Sequence, residues 1–228
     1  EQQSSDFIFD YPMVIVPSGT FQIGSNDGDG DEKPVHAVTL DAFYIGKYEV
    51  TQAQWEAVMG SNPSYFKNCD DCPVEQVSWD DVQEFIKKLN QKTGKNYRLP
   101  TEAEWEFVAR GGSANSPATY AGSYNIDEVA WYFGNSGSKT HPVGQMKPTG
   151  MSIYDMSGNV WEWCSDWYGD YSSGSQTNPK GPSSGSSRVV RGGSWNLLPQ
   201  YCRVAIRNYN YPDYRDYVLG FRLSRSVD

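Results

Sequence analysis

The 228-residue sequence predicts a mixed domain of helices and short strands joined by long loops, and three observations predict it. Short β-rich runs open the chain. Three segments in its first half each begin with a Ser or Thr cap and a polar partner three residues on. Beyond residue 112, Gly, Ser, Asn, Pro and Tyr dominate around widely spaced tryptophans, which reads as short strands in long loops.

The length suits one large domain, residues 11–228, after a polar tether at 1–10 that begins "EQQSSDF". No charged and apolar leader precedes the first strand, so any secretion signal is expected either to have been removed or to lie outside this sequence. No stretch approaches the roughly 18 apolar residues that would span a membrane. The net charge of -9, with no run of Lys or Arg, argues against a nucleic-acid binder.

In chain order, "MVIVPSGTFQIGS" and "HAVTLDAFYIGKYEV" are β-rich and flank the polar loop "NDGDGDEKP". Asp27, Asp29 and Asp31 have the spacing that opens a calcium loop. Position six is Glu32 rather than Gly and no Glu follows at the right distance, so a solvated acidic turn is expected. Thr51 with Gln54 predicts a helix carrying Trp55, Val58 and Met59 on one face. Ser78 with Asp81 opens a second, whose Val82, Phe85, Ile86 and Leu89 follow the helical period up to Gly94. Thr101 with Glu104 opens a third short helix, closed by Gly111. Between the first two lies "NCDDC", where Cys69 and Cys72 fit a loop-pinning disulfide or half of a metal site. No helix is predicted after residue 112. Disorder is excluded there because Trp131, Trp161, Trp163, Trp167 and Trp195 need burial.

The stretch "WNLLPQYCRVAIRNYNYPDYRDYVLGFRL", residues 195–223, gathers Tyr201, Tyr209, Tyr211, Tyr214 and Tyr217 at a spacing that fits neither strand nor helix. Tyr offers large amphipathic contact area with few rotatable bonds, and Asn and Asp add adaptable hydrogen bonding, as in antibody loops. Ordinary loop packing is the bland alternative.

The blocks "PSGTFQIGS", "YIGKYEVTQAQW", "PVEQVSWDDVQEF", "YRLPTEAEWEFVARGG", "YDMSGNVWEWCSDWY", "RVVRGGSW" and "GFRLSR" span nearly the whole chain. Together they resemble the formylglycine-generating enzyme (sulfatase-modifying factor) domain family. The resemblance implies an α+β, C-type-lectin-like fold of the formylglycine-generating-enzyme type. Catalytic members use two copper-binding cysteines just after a Gly-Gly-Ser segment. Here Gly192, Gly193 and Ser194 are followed by residues 195–201 without a thiol, and Cys202 matches a structural position, so no copper is expected. His36 and His141 are too far apart in sequence to imply the His cluster of the family's iron enzymes. The resemblance also implies a structural calcium at "DMSGNVWEW", held by Asp155 and Glu162 side chains and the carbonyls of Gly158 and Val160. Such oxygen donors suit a hard cation; a turn stabilised only by hydrogen bonds is the alternative.

Within residues 195–226, the segment is similar to the variable region of proteins diversified by retroelements through adenine-specific mutagenesis, in particular the treponemal variable protein class. Asn196, Leu197, Leu198, Pro199, Tyr201, Ile206, Asn208, Tyr209, Asn210, Tyr211, Asp213, Tyr214, Asp216, Tyr217 and Val218 are all reachable from an AAY codon by adenine changes alone. Gln200 departs from that scheme. All of these except Pro199 are the candidate ligand contacts. Trp195, Cys202, Arg203, Val204, Ala205, Arg207, Pro212, Arg215, Gly220, Phe221, Arg222 and Leu223 match the family's frame, with Arg203, Arg207, Arg215 and Arg222 expected as buried girders.

The resemblance thus implies a non-enzymatic, surface-displayed receptor for a variable macromolecular ligand, a protein rather than a sugar. Export to a bacterial cell surface or periplasm is expected, with membrane attachment only through a lipid anchor at the N-terminus. The rival readings are a divergent formylglycine-generating oxidase and an invariant scaffold lipoprotein of the same family.

Overall fold

Each of the three capping boxes opens a helix in the computed structural model, which describes residues 11–227. The tether expected at 1–10 lies outside the described residues. Helix α1, Gln52–Met59, starts where Thr51 Oγ1 accepts the Gln54 N–H at 3.3 Å and Gln54 Oε1 accepts the Thr51 N–H at 3.0 Å. It stops at Gly60, whose φ of 87° is left-handed. Helix α2, Trp79–Thr93, buries the stripe Val82, Phe85, Ile86 and Leu89, and ends at the left-handed Gly94. Helix α3, Glu102–Ala109, is buried on all sides, including Glu102, Glu104 and Glu106. Its caps therefore announce it better than any hydrophobic period.

The expectation of no helix beyond residue 112 needs correction. A single turn, α4, spans Ile126–Val129, with the Asn125 side chain accepting the Asp127 N–H. Four residues are too few to display a period.

The two N-terminal β-rich runs each give two strands, β1 Met13–Val16 and β2 Gly19–Ile23, then β3 His36–Leu40 and β4 Phe43–Gly46, and pair across runs, β1 with β4 and β2 with β3. The tryptophan-rich half contributes β5 Trp161–Trp167, β6 Gln176–Thr177, β7 Arg188–Arg191, β8 Arg207–Asn210, β9 Leu219–Gly220 and β10 Ser224–Ser226. Among the described residues three sheets result, in the orders β1-β4-β10, β2-β3-β6 and β8-β7-β5-β9.

The C-terminal segment is held by three separate strand pairings. β8 runs antiparallel to β7, with Val189 opposite Tyr209; β9 runs parallel to β5; and β10 pairs with β4. Side chains between these ladders can change without moving the backbone that the ladders fix.

Two large clusters form the core. In one, Trp55 stacks on Phe85 at 5.0 Å between ring centroids, and Phe221 meets the Phe85 ring edge-on at 5.4 Å. In the other, Phe107 of α3 packs edge-on against Phe21 at 5.2 Å, beside Trp105 and Phe43. Full burial of each large apolar side chain is worth about 1.5–3 kcal/mol. Of the two alternatives at Cys69 and Cys72 the disulfide holds: the pair is bonded, closing the loop before α2.

Candidate functional site

Strand pairing and buried arginines divide residues 195–223 into a frame and a face. Trp195, Cys202, Val204, Ala205, Arg207, Leu219, Gly220, Phe221, Arg222 and Leu223 are buried. Between them Leu198, Tyr201, Tyr209, Tyr211, Tyr214 and Tyr217 stand 39–64 % exposed. Asn208 and Asp213 are also exposed, and Asn196, Leu197, Asn210, Asp216 and Val218 are half-buried. Ile206 is a correction. It is only 4 % exposed and packs in the first core cluster, because the chain turns inward there to enter β8. It cannot touch a ligand in this conformation.

The frame is built largely from guanidinium groups. Arg207 donates Nε to Glu102 Oε1 at 2.6 Å and Nη2 to Glu102 Oε2 at 2.8 Å, pinning β8 to the first turn of α3. Burial would raise the Glu102 carboxyl, but Arg207 and then Arg191 outweigh it and hold it below the usual carboxylate range. Arg203 donates to both oxygens of the buried Glu32, at 2.6 and 3.0 Å. The acidic turn at 27–32 is thus solvated only in part. Arg222 grips Glu162 by two bonds of 2.6 Å, both side chains fully buried.

Arg215 departs from the expected buried girder. Its side chain is 50 % exposed, and it ties the segment to α2 by bonds of 2.6 and 2.7 Å to Asp81. Arg191 is a girder that the sequence reading missed, since it lies before the segment. Fully buried, it donates to the carbonyls of Val204, Ala205 and Ile206 and pairs with Glu106, so four partners fix the backbone just before β8.

Small polar contacts order the face itself. Tyr214 Oη donates to Asp216 Oδ2 at 2.6 Å, Asp216 Oδ1 accepts the Val218 N–H, and Asn208 Oδ1 accepts the Tyr209 N–H at 2.8 Å. Tyr209 rests on the Tyr168 ring at 4.4 Å. Tyr217 lies 5.7 Å from Trp195 and 5.7 Å from Tyr65, a residue far away in sequence. Nothing in the turn-rich run around Tyr65 marked it beforehand.

The segment read as a calcium site coils tightly. Asp155, Gly158 and Asn159 have φ of 59°, 80° and 60°. A Cβ on Gly158 would stand 2.2 Å from the Trp131 carbonyl oxygen, so glycine is required. Asp155 accepts the Gly144 N–H at 2.7 Å. Glu162 takes the Trp105 indole N–H at 2.8 Å besides the two bonds from Arg222. Glu49 lies alongside, accepting from Asn159 at 2.6 Å and from the Val160 N–H at 3.2 Å. Burial, and then Asp155 and Glu162, push the Glu49 carboxyl well up, and burial raises Asp155 to about 6.

Three buried carboxyls therefore face one guanidinium, and a hard cation would let them ionise together where protons otherwise offset the crowding. Glu162 Oε1 receives a single hydrogen bond and keeps an acceptor site. Among the described residues no three His, Cys, Asp or Glu side chains form a metal cage, so a cation here would need backbone carbonyls as well. The set Asp155, Gly158, Val160 and Glu162 has that mixed chemistry.

Cys202 and Cys164 are both free and buried, in different hydrophobic clusters. Burial pushes the Cys202 thiol up to about 12, the opposite of what a nucleophilic or copper-binding thiolate needs. His36 contacts the Pro34 carbonyl at 3.0 Å, while His141 stacks on Trp131 and contacts the Ser136 carbonyl at 2.7 Å.

The sulfatase-modifying factor enzyme 1-like domain family matches residues 10–227. Among solved structures, Treponema denticola variable protein 1 superposes with a TM-score of 0.90 at 35 % identity, covering 95 % of both chains. The chaperone protein LppX of Paenibacillus barcinonensis is 38 % identical, over 80 % of this chain and 78 % of its own. The formylglycine-generating enzyme of Bos taurus is 32 % identical, over 92 % of this chain and 73 % of its own.

Proposed function

The chain belongs to the sulfatase-modifying factor enzyme 1-like domain family, and on that premise we propose that it is a non-enzymatic, surface-displayed ligand-binding protein. Its α+β fold is the C-type-lectin-like fold of the formylglycine-generating-enzyme type. Its recognition site is the tyrosine-rich face of residues 196–218, diversified by a retroelement. The observation that carries the reading is the alternation in that segment: exposed Tyr, Asn and Asp set between buried frame residues. A surface ordered before binding loses less entropy when a ligand arrives. The similarity to a treponemal variable protein supports the same reading.

The oxidase alternative has enzyme relatives in its favour. Against it stand two buried, unpaired thiols and no thiol between Ser194 and Cys202. A calcium ion is proposed at Asp155, Gly158, Val160 and Glu162, where it would offset buried charge and brace β5. Export is proposed too. The Cys69–Cys72 disulfide supports an oxidising compartment, and no described helix is long and apolar enough to cross a membrane.

Binding to a captured ligand tests the assignment. Tyr→Ala at 209, 211, 214 and 217 should each cost about 1–3 kcal/mol where the ring sits centrally. Unchanged binding in the quadruple variant would remove the site from this segment.

A further inference from the structure

Tyr65 is among the most exposed aromatic side chains described, at 66 %, yet its backbone is tied to buried side chains by hydrogen bonds. The Tyr65 and Phe66 N–H groups donate to the two oxygens of Glu75, at 3.0 and 2.9 Å. Gln52 Nε2 donates to the Phe66 carbonyl at 2.8 Å, and Asn62 Nδ2 donates to Gln52 Oε1 at 2.8 Å. Ser64, Glu75 and Gln52 are all buried, and the Cys69–Cys72 bond closes the same loop.

This loop touches the candidate face directly. The Tyr65 ring lies 5.7 Å from Tyr217, and Phe66 meets Trp195 edge-on at 5.4 Å, so the four rings form one cluster, with Tyr65 and Tyr217 its exposed members. The Gln76 N–H donates to the Asp216 carbonyl at 2.9 Å, locking the loop's far end to the variable segment. An exposed ring on a rigid, polar-braced loop beside a recognition face is preorganised contact area.

Acidic groups outnumber basic ones here: Asp216 bonds Tyr214, Asp213 and Asp80 lie near Arg215, and Asp70 and Asp71 follow the exposed Lys67 on the loop. Arg215 is already engaged by Asp81. Exposed tyrosine faces beside carboxylates favour guanidinium and ammonium groups, through both ring quadrupole and charge.

We infer that Tyr65 is a fixed part of the ligand face beside the variable residues, and that the partner is a protein surface presenting Arg or Lys side chains. This rests on the reading of residues 196–218 as the recognition site. Tyr65 would give every sequence variant the same point of contact, while residues 209–217 set which partner fits.

The test is selection of short random peptides displayed on phage against the disulfide-intact protein, with Tyr65→Ala, Tyr65→Phe and Tyr217→Ala variants compared by titration. Enriched peptides should carry Arg or Lys beside apolar residues, and their affinity should fall as salt is raised. Tyr65→Ala should weaken most of them about tenfold, with Tyr65→Phe much milder and the unfolding midpoint unchanged. Loss with Tyr217→Ala but not with Tyr65→Ala would overturn the fixed contact and leave the recognition site standing. Enrichment of acidic or uncharged peptides would overturn the partner chemistry. Indifference to both substitutions would overturn the recognition site and this inference with it.

Discussion

Arg207 and Glu102 form a buried, two-bond ion pair immediately before the exposed residues Asn208 and Tyr209. A side chain that fixes the backbone thus adjoins side chains that face solvent. On the proposed reading, that adjacency lets a single strand serve as both scaffold and recognition surface.

Stability and binding should therefore separate by position. Arg207→Met strips both guanidinium bonds from the buried Glu102, leaving it the longer Arg191 contact and the Tyr171 hydroxyl, and should cost toward the lower end of about 3–5 kcal/mol in urea unfolding. Tyr209→Ala loses mainly the contact with Tyr168 and should cost no more than about 1.5 kcal/mol. Equal costs at the two positions would contradict the division.

The Asp166 carboxyl makes stability depend on pH. Burial, and then the Glu102 charge, raise it to about 7. A carboxyl raised on folding stabilises the folded state while protonated, so its contribution is complete below about pH 4 and is lost as pH rises through about 7. Over that window this group lowers stability by up to about 1.4 kcal/mol per pH unit. Asp166→Asn keeps an acceptor for the Glu102 N–H and should flatten the profile, as read by thermal unfolding from pH 4 to 8. A wild-type profile that rises over this window with the same shape in the variant would refute the assignment.

Calcium should raise the thermal midpoint relative to EDTA. At a hundredfold excess over Kd the gain is about 2.7 kcal/mol. Asp155→Asn suits the left-handed backbone, where φ is 59°, and can still accept the Gly144 N–H, yet it should abolish the calcium effect. Equal midpoints with calcium and EDTA would mean that the turn stands on hydrogen bonds alone.

The two free thiols should resist alkylation in the native protein and react only after denaturation, because both are fully buried. A rapidly labelled native cysteine would revive the oxidase alternative.

Much of this was legible in the sequence for local reasons. Thr51, Ser78 and Thr101 mark helix starts because capping is a contact between residues three apart. The exposure of Tyr201, Tyr209, Tyr211, Tyr214 and Tyr217 also followed, since their spacing allows no buried face. What the sequence hid is long-range. Ile206 fits the same AAY-reachable scheme as the exposed positions, and only the turn into β8 buries it. Arg191 and Tyr65 serve the segment from outside it, through carbonyl and ring contacts that no period or spacing announces. Arg215 matched the frame in type, yet its partner Asp81 lies on the surface.

The central claim is that residues 196–218 vary while the frame stays fixed, and sequencing this gene and its neighbourhood across related isolates tests it most directly. The account predicts substitutions concentrated at the exposed and half-buried positions, with Trp195, Cys202, Arg207 and Arg222 unchanged and position 206 kept apolar. It also predicts an Asn-rich template copy and a reverse transcriptase gene nearby. A segment as constant as the rest of the gene, with no template beside it, would contradict the account and favour an invariant scaffold.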